Sequence, residues 1–125
     1  MNGAVQPVAP AQPATPPAQC RTLTELRREI DALDARIVPL LVRRCGYVAQ
    51  AARIKQDANQ IVDVARIEAI VAQVREQGRA LGGPPEVLEA AYRALIAASI
   101  EFEHAEFVRL RSGAGGCLSA SGVPR

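Results

Sequence analysis

A long amphipathic stretch between Leu26 and Lys55 constrains the fold of this chain more than any other feature. Residues spaced alternately three and four apart lie on one side of an α-helix. The positions on this seam are Leu26, Ile30, Leu33, Ile37, Leu40, Arg44, Val48, Ala51 and Lys55. At about 100° per residue, Arg44 and Lys55 point within roughly 20° of each other. A cation on an apolar seam is unfavourable unless it is paired, so we expect an acidic side chain or an anionic ligand beside both.

The two ends of the sequence lack the pattern of a folded domain. Residues 1–21 are rich in Pro and Ala, and we interpret them as a disordered tail. Residues 112–125 are rich in Gly and Ser and are predicted to form a second flexible tail. Residues 22–111 therefore make up the predicted folded domain, whose length is typical of a single small domain.

Composition argues against several classes of protein. Prolines interrupt every early apolar run that a secretory signal would need, and no later run is long enough to span a membrane. We therefore expect a cytoplasmic protein with no membrane partner. The net charge of +2, without a dense basic run, argues against binding to nucleic acid. The scattered Cys20, Cys45 and Cys117 predict neither a disulfide framework nor a metal site.

The folded part is predicted to be all-α. Aromatic residues make up only 3% of the chain, and no alternating strand pattern is bounded by hairpin turns. Thr22 and Glu25 form a predicted capping box, Asp63 is a predicted N-cap, and Pro84-Pro85 fits only a helix start. The predicted helices run from Thr22 to about Gln56, from Asp63 to Gly78 or Gly82-Gly83, and from Pro84-Pro85 to about Arg111.

The first predicted helix is unusual in two respects. Pro39 lies in its middle and removes a backbone hydrogen bond, so we expect a bend there rather than a break. At about 1.5 Å per residue this helix is roughly 50 Å long, against roughly 28 Å and 40 Å for the other two. The two shorter helices cannot cover the whole seam, which predicts a homodimer in which a second copy covers the rest.

Polar residues also occur on an apolar line of the third helix. Ser99 and Glu103 are one turn apart on this line. One interpretation is structural: Glu103 pairs with Lys55 or Arg44, and the remaining charges reach solvent on long stems. The other is a pocket for a small dianion, in which two or three cations bind carboxylates while Ser99 and Glu103 add hydrogen bonds.

Three further charged residues bear on this choice. Asp63 and Arg66 lie close together at the start of the second helix. Arg27 lies about 100° around the first helix from Arg44 and some 25 Å along it, too far to share one site in a straight helix. In a dimer, however, Arg27 could reach the site of the other chain.

The order and spacing of these residues resemble the all-helical, type II class of chorismate mutases. The resemblance covers Leu23 to about Phe107. The segments that carry it are Leu26-Arg27, Ile30-Asp31-Ala32-Leu33-Asp34, Leu40-Leu41, Arg43-Arg44, Ala51 to Lys55, Asp63 with Arg66, and Ser99 with Glu103. It implies three helices per chain in an intertwined homodimer, with two identical sites that are each completed by an arginine of the partner.

The resemblance also implies a reaction, the rearrangement of chorismate to prephenate without a cofactor or a nucleophile. Catalysis then consists of holding the compact conformer and stabilising negative charge on the breaking ether oxygen. By resemblance, Arg44 and the partner's Arg27 bind the two carboxylates of the substrate. Lys55 and Glu103 donate hydrogen bonds to the ether oxygen. Glu103 must carry a proton to donate, so activity is expected to fall as pH rises.

The same resemblance assigns the remaining polar residues to substrate binding. It places Arg66 beside the carboxylate-binding region and Asp63 near the ring hydroxyl, while Ser99 adds a further hydrogen bond.

The sequence departs from the mutase pattern at one position. Well-known mutases carry a glutamate directly after the position of Arg66, where this chain has Ile67, and Glu68 points about 100° further round. Isochorismate-pyruvate lyases and aminodeoxychorismate mutases also lack this acid, and Tyr47 resembles the lyases. We favour the mutase because Ser99 and Glu103 follow its pattern. A non-catalytic helical dimer that serves as a binding module is the remaining alternative.

Overall fold

Three α-helices, of which the first and the third are long, dominate the described part of the chain. The computed structural model describes residues 14–116, and side chains for residues 14–113. Its helices are α1 (Leu23–Ile54), α2 (Val64–Ala80) and α3 (Pro85–Gly116). Short 3-10 turns at Pro17–Gln19 and Ala58–Gln60 precede α1 and α2, and residues 14–116 contain no strand. The predicted all-α class with a long N-terminal helix is confirmed.

The start of α1 is fixed by the predicted capping box. The Glu25 backbone N–H donates to Thr22 Oγ1 at 3.1 Å, and the Thr22 N–H donates to Glu25 Oε1 at 3.1 Å. The Arg21 N–H donates to the same carboxylate oxygen at 2.6 Å. These backbone donors, Arg21 first and Thr22 second, hold the pKa of Glu25 below its ordinary value. Local hydrogen bonds therefore explain why the helix begins here.

The course of α1 agrees with the sequence in part. The helix is continuous through Pro39, as expected of a bend rather than a break. It ends at Ile54, two residues before the predicted Gln56, because the chain turns into the Ala58–Gln60 segment. There the Gln56 and Asp57 N–H groups both donate to Gln60 Oε1, at 2.8 and 3.1 Å. Lys55 therefore follows the helix instead of belonging to it.

The chain divides into two compact units between Arg44 and Cys45. In the N-terminal unit, apolar residues of the seam are exposed within a single protomer. Ile30, Leu33, Ile37 and Leu40 are 48%, 52%, 47% and 60% exposed. The seam, which the sequence predicts to be covered, is therefore open along this part of α1.

In the C-terminal unit, caps define α2 at both ends. The Arg66 N–H donates to Asp63 Oδ1 at 2.9 Å, which confirms Asp63 as the N-cap. At the other end, the Gly83 N–H donates to the Gly78 carbonyl at 2.8 Å and the Gly82 N–H to the Arg79 carbonyl at 3.0 Å. This is a Schellman motif, and Gly82 takes the left-handed φ of 80° that the motif requires. Pro85 then opens α3 at a position where no N–H is needed.

The core of the C-terminal unit lies where α2 packs on α3. Its buried apolar side chains are Ala52, Ile61, Val71, Val74 and Ile96. Gly78 is also buried, and a methyl group added there would meet the Leu88 side chain. The absence of a side chain at Gly78 therefore allows the close approach of α2 to α3.

The predicted tails lie largely outside the described residues. Residues 1–13 and 117–125 are not described, so the predicted disorder of residues 1–21 and 112–125 stays a prediction. Helix α3 continues to Gly116, five residues beyond the predicted end at Arg111. It therefore has 32 residues, as many as α1, and the predicted difference in length between these two helices is wrong. Among residues 14–116, no helix has the length and the apolar character needed to cross a bilayer.

Candidate active site

An ion pair between Lys55 and Glu103 forms the centre of the candidate site. Lys55 follows the last residue of α1, and Glu103 lies on α3. Lys55 Nζ is 2.8 Å from Glu103 Oε2, and the two side chains are 26% and 8% exposed. Glu103 is the buried charged residue among those described. A buried carboxylate requires a partner, and the lysine supplies it. The sequence predicted either an acid or an anionic ligand beside Lys55, and the acid is present, as the structural interpretation expects.

The pair leaves hydrogen-bonding capacity unused. Glu103 Oε2 is fully buried, and no donor among the described residues approaches it with hydrogen-bond geometry, although Lys55 Nζ lies at ion-pair distance. An ammonium group has three donors, and one carboxylate cannot take them all. A polar ligand atom placed beside this pair would therefore find a donor on Lys55.

Ser99 lies on the same side of α3 as Glu103. The two residues are four apart on a continuous helix, so their side chains are neighbours. Ser99 is half-buried, whereas Glu103 is buried. The serine hydroxyl thus belongs to the same helix surface as the ion pair, as the sequence predicts.

Asp63 and Arg66 occupy the exposed start of α2. Asp63 uses one carboxylate oxygen to cap the helix, accepting from the Arg66 N–H. This interaction is structural and is sufficient to explain the aspartate at this position. Both side chains are exposed, and neither forms an ion pair with Lys55 or Glu103 among the side chains of residues 14–113. Their predicted contact with a substrate stays a prediction.

Arg27 and Arg44 belong to the N-terminal unit, both on α1. Arg27 is exposed and Arg44 is half-buried. Lys55 belongs to the other unit, and the predicted convergence of Arg44 with Lys55 stays a prediction.

Glu68 does not take the place of the acid missing at Ile67. Both of its carboxylate oxygens accept from the Arg93 guanidinium, at 3.0 and 2.9 Å. The hydrogen bond from Arg93 lowers the pKa of Glu68 below its ordinary value. Ile67 itself is half-buried, and Tyr47 on α1 is 70% exposed. Glu68 is therefore engaged in holding α2 to α3.

The structure adds a pair that sequence reasoning missed, Phe107 and Arg111 on α3. The Arg111 guanidinium carbon lies 3.5 Å from the centroid of the Phe107 ring. Arg111 Nη1 donates to the Ala52 carbonyl at 2.7 Å, and Nη2 donates to the Lys55 carbonyl. The four-residue spacing of an aromatic and an arginine near the end of α3 was the signal in the sequence. The carbonyl that Arg111 contacts on α1 could not be predicted, because Ala52 and Arg111 are 59 positions apart in the sequence.

No group of His, Cys, Asp and Glu side chains suited to hold a metal ion occurs among the described residues.

Comparison with known proteins then decides the family. A sequence model of the chorismate mutase type II family matches residues 26–104. The chain belongs to the type II chorismate mutase family.

A curated relative supports this membership. The chain is 32% identical over 83 residues to the T-protein of Enterobacter agglomerans. The match covers 66% of this chain but only 22% of the T-protein, so the chain spans about a fifth of that relative. The resemblance read from the sequence is therefore confirmed at the level of the family.

The family match includes every site residue predicted from the sequence. These residues are Arg27, Arg44, Lys55, Asp63, Arg66, Ser99 and Glu103. It ends at His104, before Phe107 and Arg111. Phe107 and Arg111 therefore lie outside the matched residues, whereas the Ala52 and Lys55 carbonyls that Arg111 contacts lie inside them.

Proposed function

We propose that this chain catalyses the rearrangement of chorismate to prephenate. The observation that carries the proposal is the Lys55–Glu103 pair, with 2.8 Å between Nζ and Oε2 and a glutamate side chain only 8% exposed. These are the two residues that the resemblance assigns to the ether oxygen of the substrate. Membership of the type II family supports the same reaction.

In this proposal the protein acts by position and charge. The rearrangement is pericyclic, so the site needs to hold the compact conformer and to stabilise negative charge on the breaking ether oxygen. Lys55 donates one of its unused N–H bonds to that oxygen, and protonated Glu103 donates a second. Because the Glu103 side chain is only 8% exposed, a hydrogen bond from it is stronger than it would be in solution.

The dianionic substrate requires cations beyond Lys55. We assign Arg44 and the partner's Arg27 to its two carboxylates, since a guanidinium binds a carboxylate through two parallel hydrogen bonds. Ser99, next to Glu103 on α3, supplies a further hydrogen bond to the substrate. Arg66 and Asp63, exposed at the start of α2, are assigned to the carboxylate-binding region and the ring hydroxyl.

The proposed enzyme is a homodimer. Four apolar residues on the seam of α1 are about half exposed in one protomer, a surface that a soluble monomer rarely leaves open. A second copy that packs along this seam would bury it and bring its own Arg27 to the site. The homodimer therefore accounts both for the open seam and for the distance between Arg27 and Arg44 along one helix.

The test of the proposal is the turnover of chorismate. The loss of chorismate absorbance is followed with purified protein, and the product is identified by chromatography. We expect prephenate to form at an enzymatic rate and Arg44→Ala to abolish it. Arg43→Ala is the matched control, because it removes the same charge from an exposed neighbouring position and should retain activity. If chorismate is stable in the presence of the wild-type protein, the proposal is wrong.

A second candidate reaction uses the same pocket with a different substrate. Ile67 stands where mutases carry an acid, and Glu68 cannot replace that acid because Arg93 holds both of its oxygens. This favours testing an isochorismate-pyruvate lyase or an aminodeoxychorismate mutase in parallel. Release of pyruvate from isochorismate, with no turnover of chorismate, would identify the lyase. No turnover of any of the three substrates would favour a non-catalytic binding module.

A further inference from the structure

We propose that Arg111 is a positioning residue that fixes Lys55 for catalysis, an inference that rests on the proposed function. Arg111 contacts two backbone carbonyls at the end of α1, those of Ala52 and Lys55. It has no recorded contact with the Lys55 amine or with Glu103 among the described residues. Its effect on the reaction is therefore exerted through the backbone that carries the lysine.

The end of α1 needs such a donor. The last carbonyls of a helix have no partner within the helix and point away from its C-terminus. At this end, the Ala51 carbonyl accepts from the Lys55 N–H at 2.9 Å, and Arg111 supplies donors to the carbonyls of Ala52 and Lys55. A guanidinium group also complements the negative end of the helix dipole. Arg111 thus caps α1 from another helix.

The ring of Phe107 holds the Arg111 guanidinium in place. An arginine side chain has several rotatable bonds, and fixing them is entropically unfavourable. The guanidinium lies 3.5 Å from the centroid of the half-buried Phe107 ring, one turn earlier on α3. This cation–π contact restricts the guanidinium to a plane from which both donors reach the carbonyls. We call Phe107 and Arg111 the clamp. Its two side chains hold each other in place, because both lie on α3.

The clamp gives Lys55 two attachments to the same helix. Its carbonyl is held by Arg111, and its amine lies 2.8 Å from Glu103 Oε2. Both partners are on α3, eight residues apart, so the helix sets the distance between the backbone and the charged end of Lys55. On the other side, Gln60 accepts from the Gln56 and Asp57 N–H groups and holds the chain that leaves Lys55. Without Arg111, the backbone of Lys55 would lose the hydrogen bond that holds it to α3.

The first test compares the steady-state kinetics of Arg111→Met with those of the wild type. Methionine keeps an unbranched side chain against Phe107 but cannot donate to the carbonyls. We expect kcat to fall about tenfold with KM changed less than about twofold, because displacing a catalytic group by a fraction of an ångström affects the transition state more than binding. Arg111→Lys, which retains a donor, should recover part of the loss.

Arg109→Met is the matched control. Arg109 is an exposed arginine on the same helix that pairs with Glu106 at 2.7 Å, within α3. Arg109→Met removes one positive charge, as Arg111→Met does, but leaves the end of α1 unchanged. Its kcat should therefore remain within about twofold of the wild type. An equal loss of kcat in both variants would overturn the proposal, as would a change in KM with an unchanged kcat.

A second measurement reports on Lys55 without any substrate. Lys55 is the only lysine in the sequence, so a chain grown with ¹³C-labelled lysine gives a single ¹³Cε resonance. We expect this resonance to lie away from that of free lysine in the wild type and in Arg109→Met. In Arg111→Met it should move towards the free position, as it should in Glu103→Gln, which removes the ionic partner. An unmoved resonance in Arg111→Met would show that the clamp does not position Lys55.

The two measurements separate the failure of this inference from the failure of the proposed function. If the wild-type chain turns over none of the three substrates but the resonance moves as expected, the clamp positions Lys55 and the proposed reaction is wrong. If prephenate forms but neither kcat nor the resonance responds to Arg111→Met, the inference is wrong and the reaction stands. Should Arg111→Met fail to fold by circular dichroism, Phe107→Leu decides the question with the same two readouts, because it loosens the clamp without removing the donors.

Discussion

Arg93 binds both carboxylate oxygens of Glu68 and thereby joins α3 to α2. Its Nη1 and Nη2 atoms lie 3.0 and 2.9 Å from Oε2 and Oε1 of Glu68, and its Nε lies 2.7 Å from Glu89 Oε2. Arg75 on α2 completes the cluster at 2.8 Å from Glu89 Oε1. The polar rim of the α2–α3 contact is therefore a network of two arginines and two glutamates, and bidentate geometry distinguishes it from ordinary surface pairs.

Arg93→Met is expected to lower the stability of the fold. It removes hydrogen bonds to two glutamates at once, one of them on the other helix. Arg79→Met is the control, because Arg79 pairs only with Glu76 on its own helix in the recorded ion pairs of residues 14–113. Urea unfolding followed by circular dichroism should give a lower midpoint for Arg93→Met and a midpoint near that of the wild type for Arg79→Met. Equal midpoints in the two variants would contradict this prediction.

The stabilisation from this network should depend on pH in one direction. The pKa values of Glu68 and Glu89 lie below the ordinary 4.5, because both carboxylates accept hydrogen bonds from Arg93 and lie beside its positive charge. Arg75 lowers the pKa of Glu89 further in the same way. For a carboxylate whose pKa is lower in the folded state, the stabilisation is present above pH 4.5 and is lost as pH falls through the folded pKa. The difference in urea midpoint between the wild type and Arg93→Met should therefore shrink below pH 4.5. A difference that grows on acidification would refute this assignment.

Gly82→Ala should destabilise the protein by about 1 kcal/mol, since a left-handed backbone is unfavourable for a residue with a Cβ. Gly82 has a φ of 80° at the end of α2, and space for a methyl group is not the limitation, as no atom lies within 4 Å of the added Cβ. Gly83→Ala is the matched control, because its Cβ would make an ordinary contact of 3.5 Å at a position without positive φ. Thermal or urea unfolding of both variants checks the prediction. A larger loss in Gly83→Ala would show that crowding, not backbone conformation, governs this turn.

Glu103→Gln should flatten the pH profile of chorismate turnover. A deprotonated Glu103, paired with Lys55 at 2.8 Å, cannot donate to the ether oxygen, so activity should fall as pH rises. A neutral amide donates at any pH. The measurement is kcat/KM against pH for both proteins. If the glutamine variant keeps the pH dependence of the wild type, Glu103 is not the donor.

Ile37→Asp should convert the proposed dimer into a monomer and abolish turnover. Ile37 is 47% exposed on the seam of α1, and a charge there would be buried without a partner in the dimer. Val42→Asp is the control, since Val42 is 64% exposed on the same helix but off the seam. Sedimentation equilibrium measures the mass. A wild-type chain that sediments as a monomer would remove the explanation offered for the open seam and for the role of Arg27.

Much of the fold was predictable because its boundaries are set by neighbours in the sequence. Each of these boundary signals contacts backbone groups only a few residues away in the sequence. They are the Thr22–Glu25 box, the Asp63 cap, the glycines after α2 and the proline that opens α3. The end of α1 at Ile54 is followed by the local Asp57–Gln60 capping box, which the prediction did not use, whereas the end of α3 at Gly116 has no such signal. Arg111 caps α1 from another helix, and a contact of that kind has no local pattern.

The site divides in the same way between sequence and structure. The amino-acid sequence by itself determined that Ser99 and Glu103 share a helix surface, because helical periodicity fixes which side chains are neighbours, and it predicted cations on an apolar seam. Only the tertiary structure decided that Lys55 meets Glu103, that Glu68 is held by Arg93, and that Arg111 reaches the end of α1. These contacts join residues 25 or more positions apart, and the packing of whole helices selects them from many pairings that charge alone would allow.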